Sequence, residues 1–161
     1  MATSGGYSSE MLATEASDLI FEFFALDDAL ALGELATALA SERELPIVIE
    51  VRLGTRVAYR AALPGTTANN DEWLIRKSRL VQLLETSTLA VRVAHEERDR
   101  DFNETTGLSP LEYAAHGGGW PIMVRGVGMV GFYGISGLPH VDDHTFIVET
   151  LRLLKDGGQL A

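Results

Sequence analysis

Residues 47–52 alternate: Ile47, Ile49 and Val51 are apolar and β-branched, with Val48, Glu50 and Arg52 between them. A period of two predicts a strand that turns one face to a core. Gly54 then sends the chain back through "RVAYRAAL", so the two segments predict a hairpin that Pro64 and Gly65 end. Upstream, residues 12–44 are rich in Ala, Leu and Glu. A first helix is expected from near Met11 and a second, capped by Asp27 or Asp28, in which Leu32, Leu35, Ala36 and Leu39 recur at helical spacing.

The longest periodic segment is residues 71–99, where Leu74, Lys77, Val81, Leu84, Thr88 and Val91 follow steps of three or four. One long helix is expected, capped by Asn69 or Asn70 with Glu72 in its first turn, its apolar face interrupted only by the lysine. A charged, turn-rich linker, "DRDFNETTGLSPLEY", follows. "WPIMVRG" and "MVGFYGISG", separated by residues 126–128, are dense enough in apolar residues to be central strands. A last helix is expected over 142–154, capped by Asp142, with Ile147, Thr150, Leu151 and Leu154 inward and Gly157 and Gly158 as its stop. This order predicts an α/β (α+β) chain with a mostly antiparallel sheet and helices laid across it.

Composition narrows the picture. The 161 residues, 46% of them hydrophobic with only five prolines, suit one domain over 11–158, between a loose segment 1–10 and a tail 159–161. The formal charge of -10 repels phosphate backbones and makes nucleic acid a poor partner. With no cysteine there are no disulfides, thiolate metal sites or cysteine nucleophiles. No secretory pattern begins at Met1 and no apolar run reaches the roughly 18 residues of a membrane helix, so a soluble, cytoplasmic protein without membrane contact is expected.

Candidate chemistry gathers around three consecutive glycines. Gly117, Gly118 and Gly119 lack Cβ atoms, so their amides can approach an anion or oxygen atom; equally, they can form a strained corner entering a strand. Lys77, between Trp73 and Val81 on one helical surface, either extends to solvent or places its ammonium in a pocket, with Arg76 as the alternative cation and Trp73 as either core or ligand platform. His144, in the first turn of a helix capped at Asp142, would be held neutral by the helix's positive end, able to bind a metal or accept a proton. The alternative is a core-side histidine hydrogen-bonded to a loop. His116, His140 and His144 flank the glycine segment as a weak metal triad, lacking the glutamate of a zinc hydrolase pattern. Asp142 and Asp143 read as caps, Ser87 and Ser136 lie in no nucleophile motif, and His95 reads as a solvated helix end.

"NNDEWLIRKSRLV", "HGGGWPI", "GMVGFYGISGLP" and "DDHTFIVETL" together resemble an uncharacterised protein family of the haem-degrading domain superfamily. Its relatives include HbpS-type haem-binding sensors and proteins encoded beside glycolate oxidase genes. The resemblance covers about residues 12–154. It implies a profilin-like three-layer αβα fold with a central antiparallel sheet, symmetric homo-oligomers and haem as the cofactor to test. Lys77, Gly117, Gly118, Gly119 and His144 match the shared pattern.

Three function classes follow. The first is a small-ligand protein, with haem or another tetrapyrrole as the ligand, in which Lys77 meets a carboxylate and His144 a metal or polar edge. The second is an oligomeric interaction or scaffold protein. The third is an enzyme acting on a small carboxylated metabolite, with Lys77 orienting the acid and His144 exchanging a proton. The first and third need Lys77, the glycine corner and His144 to share one hollow.

Overall fold

A computed structural model describes residues 2–157. The alternation at 47–52 becomes β1 (Val48–Leu53), which pairs antiparallel with β2 (Arg56–Ala62) across the turn at Gly54. The second hairpin is β3 (Gly119–Val124) and β4 (Gly128–Ser136). β4 also pairs antiparallel with β1, placing Val48 opposite Ser136 and Val51 opposite Tyr133. The sheet order is β2-β1-β4-β3. Only one member of the second hairpin is therefore central: β3 lies at the edge, where Phe21 makes a short parallel bridge to Val124.

Helices cover both faces of the sheet. α1 (Ser9–Asp18) and α2 (Leu26–Glu42) precede it, α3 (Ala68–Leu84), α4 (Thr88–Glu96) and α5 (Phe102–Thr106) join the hairpins, and α6 (His140–Lys155) ends the described chain. Leu32, Ala36 and Leu39 of α2 and Ile147 and Leu151 of α6 pack on Ile49, Val51, Tyr133 and Ile135, forming the main core. On the opposite face α3 packs against β4, close enough that a side chain on Gly134 would meet Leu74. The result is the three-layer αβα arrangement that the resemblance implies. Strand period places alternate residues on the two faces, and α2 and α3 each bury one stripe.

The expected long helix is two. Glu85 adopts a left-handed conformation (φ 52°) that ends α3, and the Ser87 hydroxyl accepts the Ala90 N–H (3.2 Å) to start α4. Leu84, read as part of the inward stripe, is 42% exposed because the chain turns immediately after it. Caps also move: Ala25 and Thr67 are the cap residues of α2 and α3, and their N–H groups donate to Asp28 and Asn70 from inside each first turn. α6 begins at His140 behind Pro139, so Asp142 is a first-turn residue rather than the cap, and His144 lies beyond that turn.

The opening, read as loose, contains a 3-10 turn at Ser4–Gly6 and is tied to α4. Both the N–H and the hydroxyl of Ser4 donate to Glu96 (2.8 Å each), and Ser9 donates to Glu97. Gly158 and the tail 159–161 lie outside the described residues. No helix among the described residues is long and apolar enough to cross a membrane.

Candidate functional site

The start of α3, the loop entering β3, the end of β4 and the start of α6 meet at one end of the sheet. They surround a cavity of about 320 Å³ lined by Asn69, Asn70, Trp73, Lys77, His116, Ser136, Gly137, Leu138, His140 and Asp143. Its size is that of a small-molecule site.

Lys77 forms part of its floor. The ammonium donates to the Ile135 carbonyl (3.0 Å) and to Asp143 Oδ2 (3.1 Å), and both side chains of this ion pair are buried. The other carboxylate oxygen of Asp143 accepts the Leu138 N–H (3.0 Å), closing the corner between β4 and α6. One ion pair thus joins α3, the last residues of β4 and α6. Burial, outweighing the attraction of Lys77, pushes the Asp143 carboxyl up to about 6, and burial likewise lowers the Lys77 ammonium despite Asp143. Both directions mean that desolvation exceeds the pair's mutual attraction. Lys77 therefore meets a carboxylate, but it is the protein's own.

Two histidines form the opposite wall. His116 packs edge-on against Trp73 (centroids 4.8 Å apart) and His140 (5.4 Å). Burial, with smaller contributions from the Arg92, His140, Lys77 and Arg76 charges, pushes His116 down to about 4, so its imidazole is neutral near pH 7. Its Nδ1 is buried without a hydrogen-bond partner. His140 is also lowered, first by burial and then by Arg92, and its Nδ1 accepts the Gly117 N–H (3.1 Å). Arg76 lies over the Trp73 ring (4.0 Å) and donates to the Pro110 carbonyl (3.3 Å), fixing the outer side of the indole.

The glycines stand behind this wall rather than in the cavity lining. The Gly119 N–H donates to Thr88 Oγ1 (2.9 Å) and the Gly118 carbonyl accepts the Ile135 N–H (2.8 Å). The close approach expected of Gly117 is to protein: a Cβ there would stand 2.2 Å from the His140 carbonyl oxygen. Of the three, only Gly118 has a positive φ (118°).

His144 is separated from the cavity. It is fully buried beneath α1, with Nε2 2.8 Å from Glu15 Oε1, the Tyr7 ring against its edge and Nδ1 unpartnered. The expected common hollow of Lys77, glycines and His144 is not formed, because α1 covers the imidazole from the other side. Among the described residues no three His, Asp or Glu side chains are grouped to hold a metal ion, and His144 Nε2 is engaged by Glu15. Ser136 lines the cavity, Ser87 caps α4, and the ring of His95 bonds the Val91 carbonyl.

The family model described as "Haem degrading protein HbpS-like" matches residues 24–152. The chain belongs to this HbpS-like family. Its curated relatives include UPF0303 proteins: one from Streptomyces coelicolor is 43% identical over 134 residues, covering 83% of this chain and 85% of its own. Another, from Azotobacter vinelandii, is 39% identical over 142 residues, covering 88% and 86%. Among solved structures, this HbpS-like chain is similar to the Ybr137w protein (TM-score 0.82, 25% identity, covering 92% of this chain and 87% of that one). It also shares its fold with PduOC, solved as a haem complex (TM-score 0.65, 17% identity, 80% and 91%), and with HbpS (0.61, 17%, 81% and 89%).

Proposed function

We propose that this HbpS-like protein binds a small ligand in the cavity between α3 and α6, and that a tetrapyrrole such as haem, seated by one edge, is that ligand. The observation that carries the proposal is His116, a half-buried imidazole kept neutral on an aromatic cavity wall. The residues fit haem in two respects. A neutral imidazole has the lone pair an iron ion takes, and Trp73 with Leu138 offers surface to a flat apolar ring. About 320 Å³ accommodates part of a tetrapyrrole rather than all of it, so the remainder extends through the cavity mouth. When bound, haem supplies iron-centred redox and oxygen chemistry. The chain's part is to orient the ring, exclude water from the wall and present the imidazole. The family match and the haem complex of PduOC support this reading.

Titration of the purified protein with haem tests it. A saturable Soret shift is expected, lost or weakened at least about tenfold in His116→Ala, since an axial ligand contributes more than one neutral hydrogen bond. Protonation competes with iron for the ring, so ligation by a group with a pKa of about 4 should persist at pH 5, where an ordinary histidine is mostly protonated. A folded His116→Ala protein with the parent's spectrum and affinity overturns the assignment.

The enzyme reading built on Lys77 and His144 is less supported, because Lys77 is paired with Asp143 and His144 lies under α1. Symmetric self-assembly remains part of the proposal, with the outer edge of β2, unpaired among the described residues and with Val57 51% exposed, as a surface for it. A cysteine-free chain suits the reducing cytoplasm proposed as its location.

A further inference from the structure

A second cavity, of about 310 Å³, lies between α1, the turn joining α3 to α4 and the β3 edge. It shares no lining residue with the His116 cavity. Its walls are mostly apolar, with Leu12, Ala16 and Ala90 contributed by helices and Trp120, Pro121 and Met123 by β3.

From this groove we infer a separate binding site for an uncharged, apolar molecule of metabolite size that carries one hydrogen-bond acceptor, such as a carbonyl or ether oxygen. Three observations select that class. Among the described residues Glu85 is the only ionisable side chain in the lining, so an acid meets a carboxylate and no cation. Trp120 borders the groove while only 3% exposed, and its indole N–H donates to no protein group among the described residues, leaving a donor for the ligand. Pro121 has no N–H, and Phe21 already pairs with the next part of β3, so an added peptide strand finds its ladder interrupted. The volume is that of a compact molecule rather than a helix.

The chain has two tryptophans, one at each cavity, so Trp73→Phe leaves Trp120 as a reporter for this groove alone. Nile red, which is neutral and carries a carbonyl, is the probe. Titrated into Trp73→Phe protein, it should show saturable emission with one-to-one stoichiometry and quench Trp120. Anilinonaphthalene sulfonate, similar in apolar area but anionic, should bind about tenfold more weakly. Ala16 is exposed, so Ala16→Phe fills the groove without disturbing the core, and it should weaken Nile red at least about tenfold. Trp120→Phe, followed by dye emission, should weaken it about fivefold through loss of the donor. Binding unchanged in Ala16→Phe overturns the inference. So does parent protein that binds no dye while Ala16→Phe dissociates an oligomer, since a second copy then fills the groove.

Discussion

Lys77→Ala is expected to lower folding stability by about 3–5 kcal/mol at pH 8, because it leaves the buried Asp143 carboxylate without its counter-charge. It also removes the donor to the Ile135 carbonyl. Chemical denaturation gives the loss directly. The double variant Lys77→Met with Asp143→Asn separates the ion pair from simple packing: methionine fills the lysine's space, and asparagine can still accept the Leu138 N–H. Its loss should be smaller than the sum of the single losses by about 2 kcal/mol, the coupling expected of groups in direct contact. Additive losses would show that the two charges do not act as a pair.

The pH dependence follows from the direction of the Asp143 shift. Its carboxyl has a folded-state pKa raised to about 6 from an ordinary 3.8, so between these values the folded protein holds a proton that the unfolded chain has released. This group's contribution therefore falls as pH rises from about 4 to 6, the reverse of a salt-bridged surface carboxylate. Without Lys77 the carboxyl shifts further up. The Lys77→Ala penalty should accordingly shrink below pH 6, where protonation removes the unpaired charge, and a penalty equal at pH 5 and pH 8 would contradict a charge-based origin.

Why this pair escaped the sequence is a matter of distance. Lys77 in an apolar stripe signals a buried or pocket cation, but its partner lies 66 residues later, among two aspartates whose position after Pro139 suggests only capping. The same locality explains what was legible. Ile47, Ile49 and Val51 carry a period-two signal that requires no distant information, and both hairpins follow from turns at Gly54 and residues 126–128. The sheet order does not, so β3 read as central although it forms an edge. The break at Glu85 was hidden because Leu74, Val81, Thr88 and Val91 are all buried on both sides of it, leaving the helical rhythm nearly intact; Ser87 was the available cap signal. His144 read as a site because nothing near it in the sequence shows that Glu15 and Tyr7 cover it. His116, conversely, gains its importance from Trp73 and His140, which reach it from two other segments.

Gly118→Ala should be nearly as damaging as loss of Lys77, and for a reason that involves no ligand. At φ 118° an L-residue is strained, at about 1–3 kcal/mol. The new Cβ would also stand 2.4 Å from the Ile135 carbonyl oxygen and 2.6 Å from Lys77 Nζ, inside van der Waals contact with both halves of a buried hydrogen bond. The lysine can give way only by leaving Asp143, and the carbonyl only by shifting β4 away from the Gly118 backbone to which Ile135 N–H is bonded. Overpacking of this kind adds about 1–3 kcal/mol, for a combined loss of about 4 kcal/mol. Gly126→Ala is the comparison, since Gly126 also has a positive φ (77°) but a Cβ there meets nothing within 4 Å. That variant should lose only about 1 kcal/mol, the backbone part alone. If the two denaturation curves shift equally, the contact among Gly118, Ile135 and Lys77 is not what requires glycine at the corner.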